Sequence, residues 1–239
     1  MTQRRIGIIA ALIPEARCIA RQKPVPGVIT PVGGWSSLYV CGMGAERART
    51  AAQKLIDNGF NALISWGTAG ALAADIEPGA LIIPETIISG EGKVYQTAKN
   101  WRTSVIKHLK DCPSNVYLGQ LSDSMYVLTQ SAEKYRIRRQ TDSLAVDMES
   151  AAIAETARLN RTPFIAIRAI SDSSTMSIPD SVTKFTDSYG EVRIFNLILS
   201  ILKRPADIRE LLILARGYRA AVKTLQWIGQ RREAFFTLD

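Results

Sequence analysis

Residues 143–157 read SLAVDMESAAIAETA, and the parsing of this stretch decides the fold. An apolar run ending at Val146 gives way to Asp147, Met148 and Glu149, and an alanine-rich helical pattern follows over 149–159. A buried strand feeding a packed helix is one unit of an α/β fold. The two carboxylates at the seam then need a reason, because a charge buried between packed elements is costly unless it is paired.

The same alternation recurs along the chain. Short apolar runs at IGIIAAL (6–12), SLYVCG (37–42), NALISWG (61–67), ALIIPE (80–85), VYLGQLS (116–122) and FIAIRAIS (164–171) read as buried strands. Helical patterns at 45–58, 130–139, 188–203 and 207–229 lie between or after them. The expected architecture is a single three-layer α/β domain, with a central mixed, mostly parallel sheet flanked by helices. Sheets of this kind bind ligands beyond the carboxyl ends of their strands, and polar residues and glycines collect there. Glu15 follows the first run, CGMGAERA (41–48) the second and GTAG (67–70) the third. Asp123, Met125 and Tyr126 follow 116–122, and Ser171 and Asp172 end the last run.

The bulk properties narrow the class. A chain of 239 residues, 46% apolar and without repeats or low-complexity tracts, can bury one full core and is not disordered. Cys18, Cys41 and Cys112 are scattered without metal spacing and read as reduced, mostly buried thiols of a cytoplasmic protein. The N-terminal MTQRRIGIIAALIPEARC superficially resembles a signal peptide, but its apolar run breaks at Pro14 and Glu15, so a first strand over 5–12 is expected. No segment has transmembrane length.

The net charge is +8, and residues 203–239 carry half of it, with eight basic and four acidic side chains. Ile208, Leu211, Leu212, Ala215, Tyr218, Val222 and Leu225 fall on one stripe of this region, with Arg209, Arg216, Arg219 and Lys223 largely off it. Such a basic amphipathic helix either packs on the domain or lies on an anionic surface. Nucleic acid is not expected as a partner.

The single histidine, His108, sits in a surface helical pattern, which leaves hydrolases with a histidine base unsupported. Carboxylates suit cleavage of a glycosidic bond through an oxocarbenium-like state. One acid protonates the leaving group, an acceptor holds the sugar hydroxyls, and hydrolysis adds a base to orient water. The GMG turn (42–44) lacks the third glycine of a dinucleotide fingerprint, with Arg47 in its place, and reads instead as backbone N–H groups offered to an anion or hydroxyl.

Five segments, GIIAALIPEA (7–16), GMGAERA (42–48), SWGTAGAL (65–72), AVDMESAAIA (145–154) and AIRAISDSS (166–174), resemble the purine nucleoside phosphorylase and nucleosidase superfamily in order and spacing. The resemblance implies that Glu15 orients a water, Asp172 protonates the leaving purine, and Glu149 with Met148 holds the ribose. Met125, Tyr126 and Ser171 would line the purine. Thr68, Gly67, Arg168, Gly44 and Arg47 would form the phosphate-or-water site, and Leu12 and Met43 the 5′ pocket. PEARC (14–18) brings the chain nearest to the hopanoid-associated phosphorylase branch. That likeness implies phosphorolytic release of adenine from adenosylhopane, with inorganic phosphate as co-substrate and no cofactor or metal. It also implies a catalytic domain over 1–203 and a C-terminal helical extension over 204–239. The extension would either pack on the domain or make a peripheral contact to the inner membrane surface. Such proteins form dimers or larger homo-oligomers. Asp147 and Ser150 depart from the nucleosidase pattern. Two alternatives stay open: hydrolysis of a methylthioadenosine or S-adenosylhomocysteine type nucleoside, and nucleoside binding without turnover.

Overall fold

The computed structural model describes residues 4–177, 188–189 and 207–236. The helix expected over 188–203 therefore lies outside the described residues, apart from a turn at its first two positions.

Eleven strands among the described residues form one sheet. The first six in chain order are β1 (Ile6–Ala10), β2 (Thr30–Gly33), β3 (Ser36–Val40), β4 (Ala62–Ala71), β5 (Leu81–Ile82) and β6 (Thr86–Ile88). The others are β7 (Val94–Gln96), β8 (Val116–Tyr117), β9 (Gln120–Asp123), β10 (Ala145–Asp147) and β11 (Phe164–Asp172). The main path runs β2-β3-β1-β4-β10-β9-β6-β7, and β11 lies along β4 and joins β5, which pairs with β8. Parallel pairing joins β1 to β3 and β4, β10 to β9, β11 to β4, and β6 to β9. Antiparallel pairs at β2–β3, β6–β7, β4–β10 and β5–β11 make the sheet mixed.

Side chains alternate across the sheet and divide the core in two. On one face Leu63, Ala166 and Ile170 pack under α2 (Ala45–Asp57) and α5 (Ser150–Leu159). Small residues at that helix contact, Ala48, Ala51 and Ala52 against Ala151, Ala154 and Ala157, bring the two helices close. On the other face Ile8, Ile64, Trp66 and Ile167 pack under α1 (Ile13–Ala16), α3 (Lys99–Lys107), α6 (Asp207–Gln230) and α7 (Arg232–Phe235). The remaining helix, α4 (Ser131–Thr141), lies beside β9.

Several boundaries differ from the sequence reading for identifiable reasons. The third run does not stop before GTAG: β4 continues to Ala71, because its second half keeps pairing with β11 and then with β10. Residues 80–85 end as a strand at Ile82, and Pro84, which has no N–H to donate, separates β5 from β6. The edge strands β2 and β7 carry too few buried positions to stand out in the sequence.

The C-terminal helix also packs by a different face from the expected stripe. Of the stripe, Leu225 is buried and Leu211, Tyr218 and Val222 are half-buried, but Leu212 and Ala215 are exposed, and the buried face turns towards Gly217, Ala221, Thr224, Ile228 and Gly229. Glycine decides the rotation. A methyl group at Gly217 would overlap the carbonyl oxygen of Ser171, and one at Gly229 that of Cys18. Helix and backbone touch there without intervening side chains. The side chain of Ile208 lies outside the described set.

Candidate active site

The sheet changes partners in the middle of β4, and the candidate site sits at that change. Residues 62–66 of β4 pair with β1, while Gly70 and Ala71 pair with β10, which runs the opposite way. β1 therefore ends beside Trp66, and β10 brings its carboxyl end back towards the same point. Such a change of neighbour opens a crevice. Glu15 enters it from α1, Glu149 from the β10–α5 seam, and Thr68 from β4.

Glu15 is 2% exposed and fully hydrogen-bonded. Its Oε1 accepts from the backbone N–H and the hydroxyl of Thr68, both at 2.8 Å, and its Oε2 accepts from the Leu12 N–H at 3.1 Å. Gly67 lets this happen, since a side chain there would run into the Glu15 carboxyl and the Arg168 guanidinium. Burial raises the Glu15 pKa, against the lowering pull of Arg168 and of the Thr68 hydrogen bonds.

Glu149 is the N-cap residue of α5, yet Asp147 does the capping: its Oδ1 accepts from the Ser150 N–H at 3.2 Å. Freed from that role, Glu149 turns across the crevice and its Oε1 accepts from the Gly44 N–H at 2.9 Å. Gly44 holds φ at +103°, a left-handed conformation that favours glycine. Burial first, and Asp147 second, push the Glu149 pKa up to about 7.

Arg168 underlies both acids. Its Nε is 2.7 Å from Asp147 Oδ2, its Nη2 donates to Ser65 Oγ at 2.6 Å and Ser150 Oγ at 3.1 Å, and Glu149 Oε2 stands 3.9 Å away. Although burial works against its charge, Asp147, Glu149 and Glu15 hold this guanidinium firmly protonated. Behind them Asp123, opposite Asp147 in the β9–β10 register, has its pKa raised to about 8 by burial, Asp147 and Glu149.

Asp172 ends β11 opposite Gly70, three residues along β4 from Gly67. At about 3.3 Å per residue that offset is roughly 10 Å. Ser171 donates its hydroxyl to Asp172 Oδ1 at 2.6 Å, and Lys134 from α4 is ion-paired with Oδ2. Met125 and Tyr126, 83% and 51% exposed, follow β9, and Met148 is half-buried at the seam.

Two expectations for the anion site change. The Gly44 N–H is engaged by Glu149 rather than free for an anion. Arg47 is exposed, with its guanidinium 5.9 Å from the Tyr189 ring centroid, and no ion pair joins it to a carboxylate among the described residues. Leu12 and Met43 are half-buried, and the Met43 N–H donates to Ser188 O at 2.7 Å. The sequence reading missed Ser65 and Lys134 as parts of the site, and took Asp147 and Ser150 only as departures from a pattern. A lysine inside a surface-helix pattern gives no signal of its own. Among the described residues no cluster of three or more His, Cys, Asp or Glu could hold a metal.

Comparison with known proteins places this architecture. Residues 5–202 match the model of the Phosphorylase superfamily. A 5′-methylthioadenosine/S-adenosylhomocysteine nucleosidase from Maridesulfovibrio salexigens is 27% identical over 234 residues, covering 83% of this chain and 99% of that protein. One from Buchnera aphidicola is 27% identical over 214 residues, covering 76% and 83%. The Helicobacter pylori nucleosidase, solved as a mutant with 5′-methylthioadenosine in the active site, superposes with a TM-score of 0.67 at 15% identity, over 97% of this chain and all of that one. That likeness gives the fold.

Proposed function

Because the chain belongs to the Phosphorylase superfamily, we propose that it cleaves the N-glycosidic bond of a purine nucleoside, and that water rather than phosphate is the acceptor. One observation carries the choice of acceptor. Among the described residues two cations belong to the site, and both are engaged: Arg168 has its Nε against Asp147 and its Nη2 on Ser65 and Ser150, with Glu149 3.9 Å away, and Lys134 is held by Asp172 and the Ser173 and Met176 carbonyls. A phosphate would have to lie beside the Glu15 carboxyl without a free cation. Like charges about 4 Å apart repel by about 4 kcal/mol at an effective dielectric near 20. A neutral water meets no such barrier.

We assign the residue roles as the family resemblance implies, and the positions of the side chains support them. Glu15, set by Thr68 and Leu12, orients the water and takes its proton. Asp172, roughly 10 Å along β4, accepts from Ser171 and Lys134 on its two oxygens, so it takes up a proton from solvent before each turnover and passes that proton to the base as the glycosidic bond breaks. The sugar lies between them, with its 2′ and 3′ hydroxyls donating to Glu149. An attacking water on one side and an acid on the other is the arrangement of an inverting glycoside hydrolase. Met125 and Tyr126 form the wall for the base, and Leu12 and Met43 border the 5′ group.

For the substrate we favour a 5′-thioether adenosine. The named relatives are nucleosidases of such compounds, and the two apolar side chains, Leu12 and Met43, suit a thioether. Adenosylhopane phosphorolysis, implied by the branch resemblance, gains no support from these relatives or from the filled surroundings of Arg168. The test is adenine release from methylthioadenosine and from adenosylhopane, each with and without inorganic phosphate. Phosphate-independent release from the thioether is expected. Release that requires phosphate would overturn the hydrolytic reading, and release from the hopanoid alone would overturn the substrate.

A further inference from the structure

Lys134 is one of the most deeply buried charges in the molecule, at 1% exposure, and nothing in the proposed chemistry has yet used it. It belongs to α4, a helix whose arginines, Arg136, Arg138 and Arg139, are exposed or half-buried. An ammonium has three N–H donors and no acceptor. At Lys134 all three find oxygens on one short segment: Asp172 Oδ2, the Ser173 carbonyl at 2.7 Å and the Met176 carbonyl at 3.2 Å. A buried cation with a full set of acceptors fixes the atoms it bonds, because leaving any of them unpaired is costly.

The second carboxylate oxygen of Asp172 is held by Ser171, and a side chain at Gly70 would crowd the carboxylate from beneath. Without Lys134, Asp172 would keep only the hydroxyl on its own strand. We infer that Lys134 is a positioning residue for Asp172: its ammonium fixes the carboxyl and the backbone of residues 173–176 together, so that α4 sets where the acid meets the leaving base. This rests on the assignment of Asp172 as proton donor to the base. Lys134 itself needs no contact with substrate.

The experiment compares wild type, Lys134→Met, Lys134→Gln, Asp172→Asn and the Lys134→Met/Asp172→Asn double variant of the full chain. The readouts are kcat and KM for adenine release from methylthioadenosine, and adenine affinity by calorimetry. Lys134→Met is expected to lower kcat by about 10²-fold, within the range of one general acid, with KM changed less than threefold. The double variant is expected to be no slower than Asp172→Asn. Adenine affinity falls about tenfold in either single variant, the share of one charged hydrogen bond, and no further in the double.

Where Lys134→Met leaves Asp172 buried without its cation and fails to fold, Lys134→Gln and the double variant keep the cycle readable. A purely structural lysine would give losses that multiply in the double variant, and that result overturns the proposal. So does wild-type kcat in Lys134→Met or Lys134→Gln. A wild-type protein that releases no adenine defeats the activity assignment instead. The adenine-affinity cycle then still decides whether Lys134 acts through Asp172.

Discussion

Arg168 Nε lies 2.7 Å from Asp147 Oδ2, and both side chains are almost wholly buried, at 2% and 1% exposure. This is the electrostatic hinge of the site, because Glu149 and Glu15 are also held within the field of the same guanidinium. Breaking a buried pair by removing one partner leaves an uncompensated charge. Arg168→Met is therefore expected to destabilise the protein by about 3–5 kcal/mol, measured by urea unfolding. Arg168→Lys should restore only part of this, since an ammonium cannot reproduce the planar fork that reaches Asp147, Ser65 and Ser150 together. Full stability in the lysine variant would count against this account.

Glu149 links stability and binding to pH with opposite signs. Its folded pKa, about 7, lies above the ordinary value of 4.5. Its contribution to stability is thus complete below the lower value and is lost as pH rises through the higher one. Ribose hydroxyls donate best to the ionised form, so kcat/KM should rise over the same interval. Glu149→Gln is expected to flatten the stability slope and to remove the acid limb of kcat/KM. If the stability profile keeps its slope in the variant, the coupling is absent.

Asp123 predicts a gain rather than a loss. Its Oδ1 is buried without a hydrogen-bond partner among the described residues, and its pKa is raised to about 8. Its contribution likewise declines as pH rises from the ordinary range through that value. Asp123→Asn, which carries no charge to bury, should stabilise the protein at neutral pH by about 1–3 kcal/mol and have little effect near pH 4. Thermal unfolding at the two pH values makes the comparison, and equal shifts at both would refute it.

Glu15→Gln should lower kcat by about 10²–10⁴-fold while the protein keeps its fold, because the amide oxygen can still accept from Thr68. Steady-state kinetics with circular dichroism checks both halves. Retained turnover would remove Glu15 as the water-orienting base.

The close approach of α6 is testable without any assay. Gly229→Ala would drive a methyl group into the Cys18 carbonyl, and overpacking of this kind costs about 1–3 kcal/mol. A fall in Tm of several degrees is expected, and an unchanged Tm would mean that the helix can shift outward at no cost.

Much of this molecule was legible before any coordinates. Buried strand runs, the Glu15 and Glu149 positions and the Asp172 strand end carry local signals of pattern and spacing; Glu15 meets β4 at Thr68 and Asp172 meets it at Gly70, while Glu149 reaches Gly44 and Arg168. What stayed hidden depends on contacts far apart in sequence. Nothing near Lys134 announces a partner 38 residues on, and nothing near Gly44 announces that its N–H is reserved for a carboxylate 105 residues away. The C-terminal stripe was misjudged because apolar spacing ranks Leu212 above Gly217, whereas close packing against a backbone selects the glycine.

The seat of α6 also has a consequence in time. Cys18 Sγ, just after α1, reaches the Val222 carbonyl and Ser36 Oγ, on β3, the Phe236 carbonyl, so early segments and the last described helices are closed on one another. A chain growing from its N-terminus has made every carboxylate of the crevice by residue 172, yet the helix that backs Ser171 ends at residue 230. At about 5–20 residues per second that gap lasts roughly 3–12 s. During it the nascent sheet exposes the apolar face that Ala221, Leu225 and Ile228 will cover, a window in which a chaperone has something to hold.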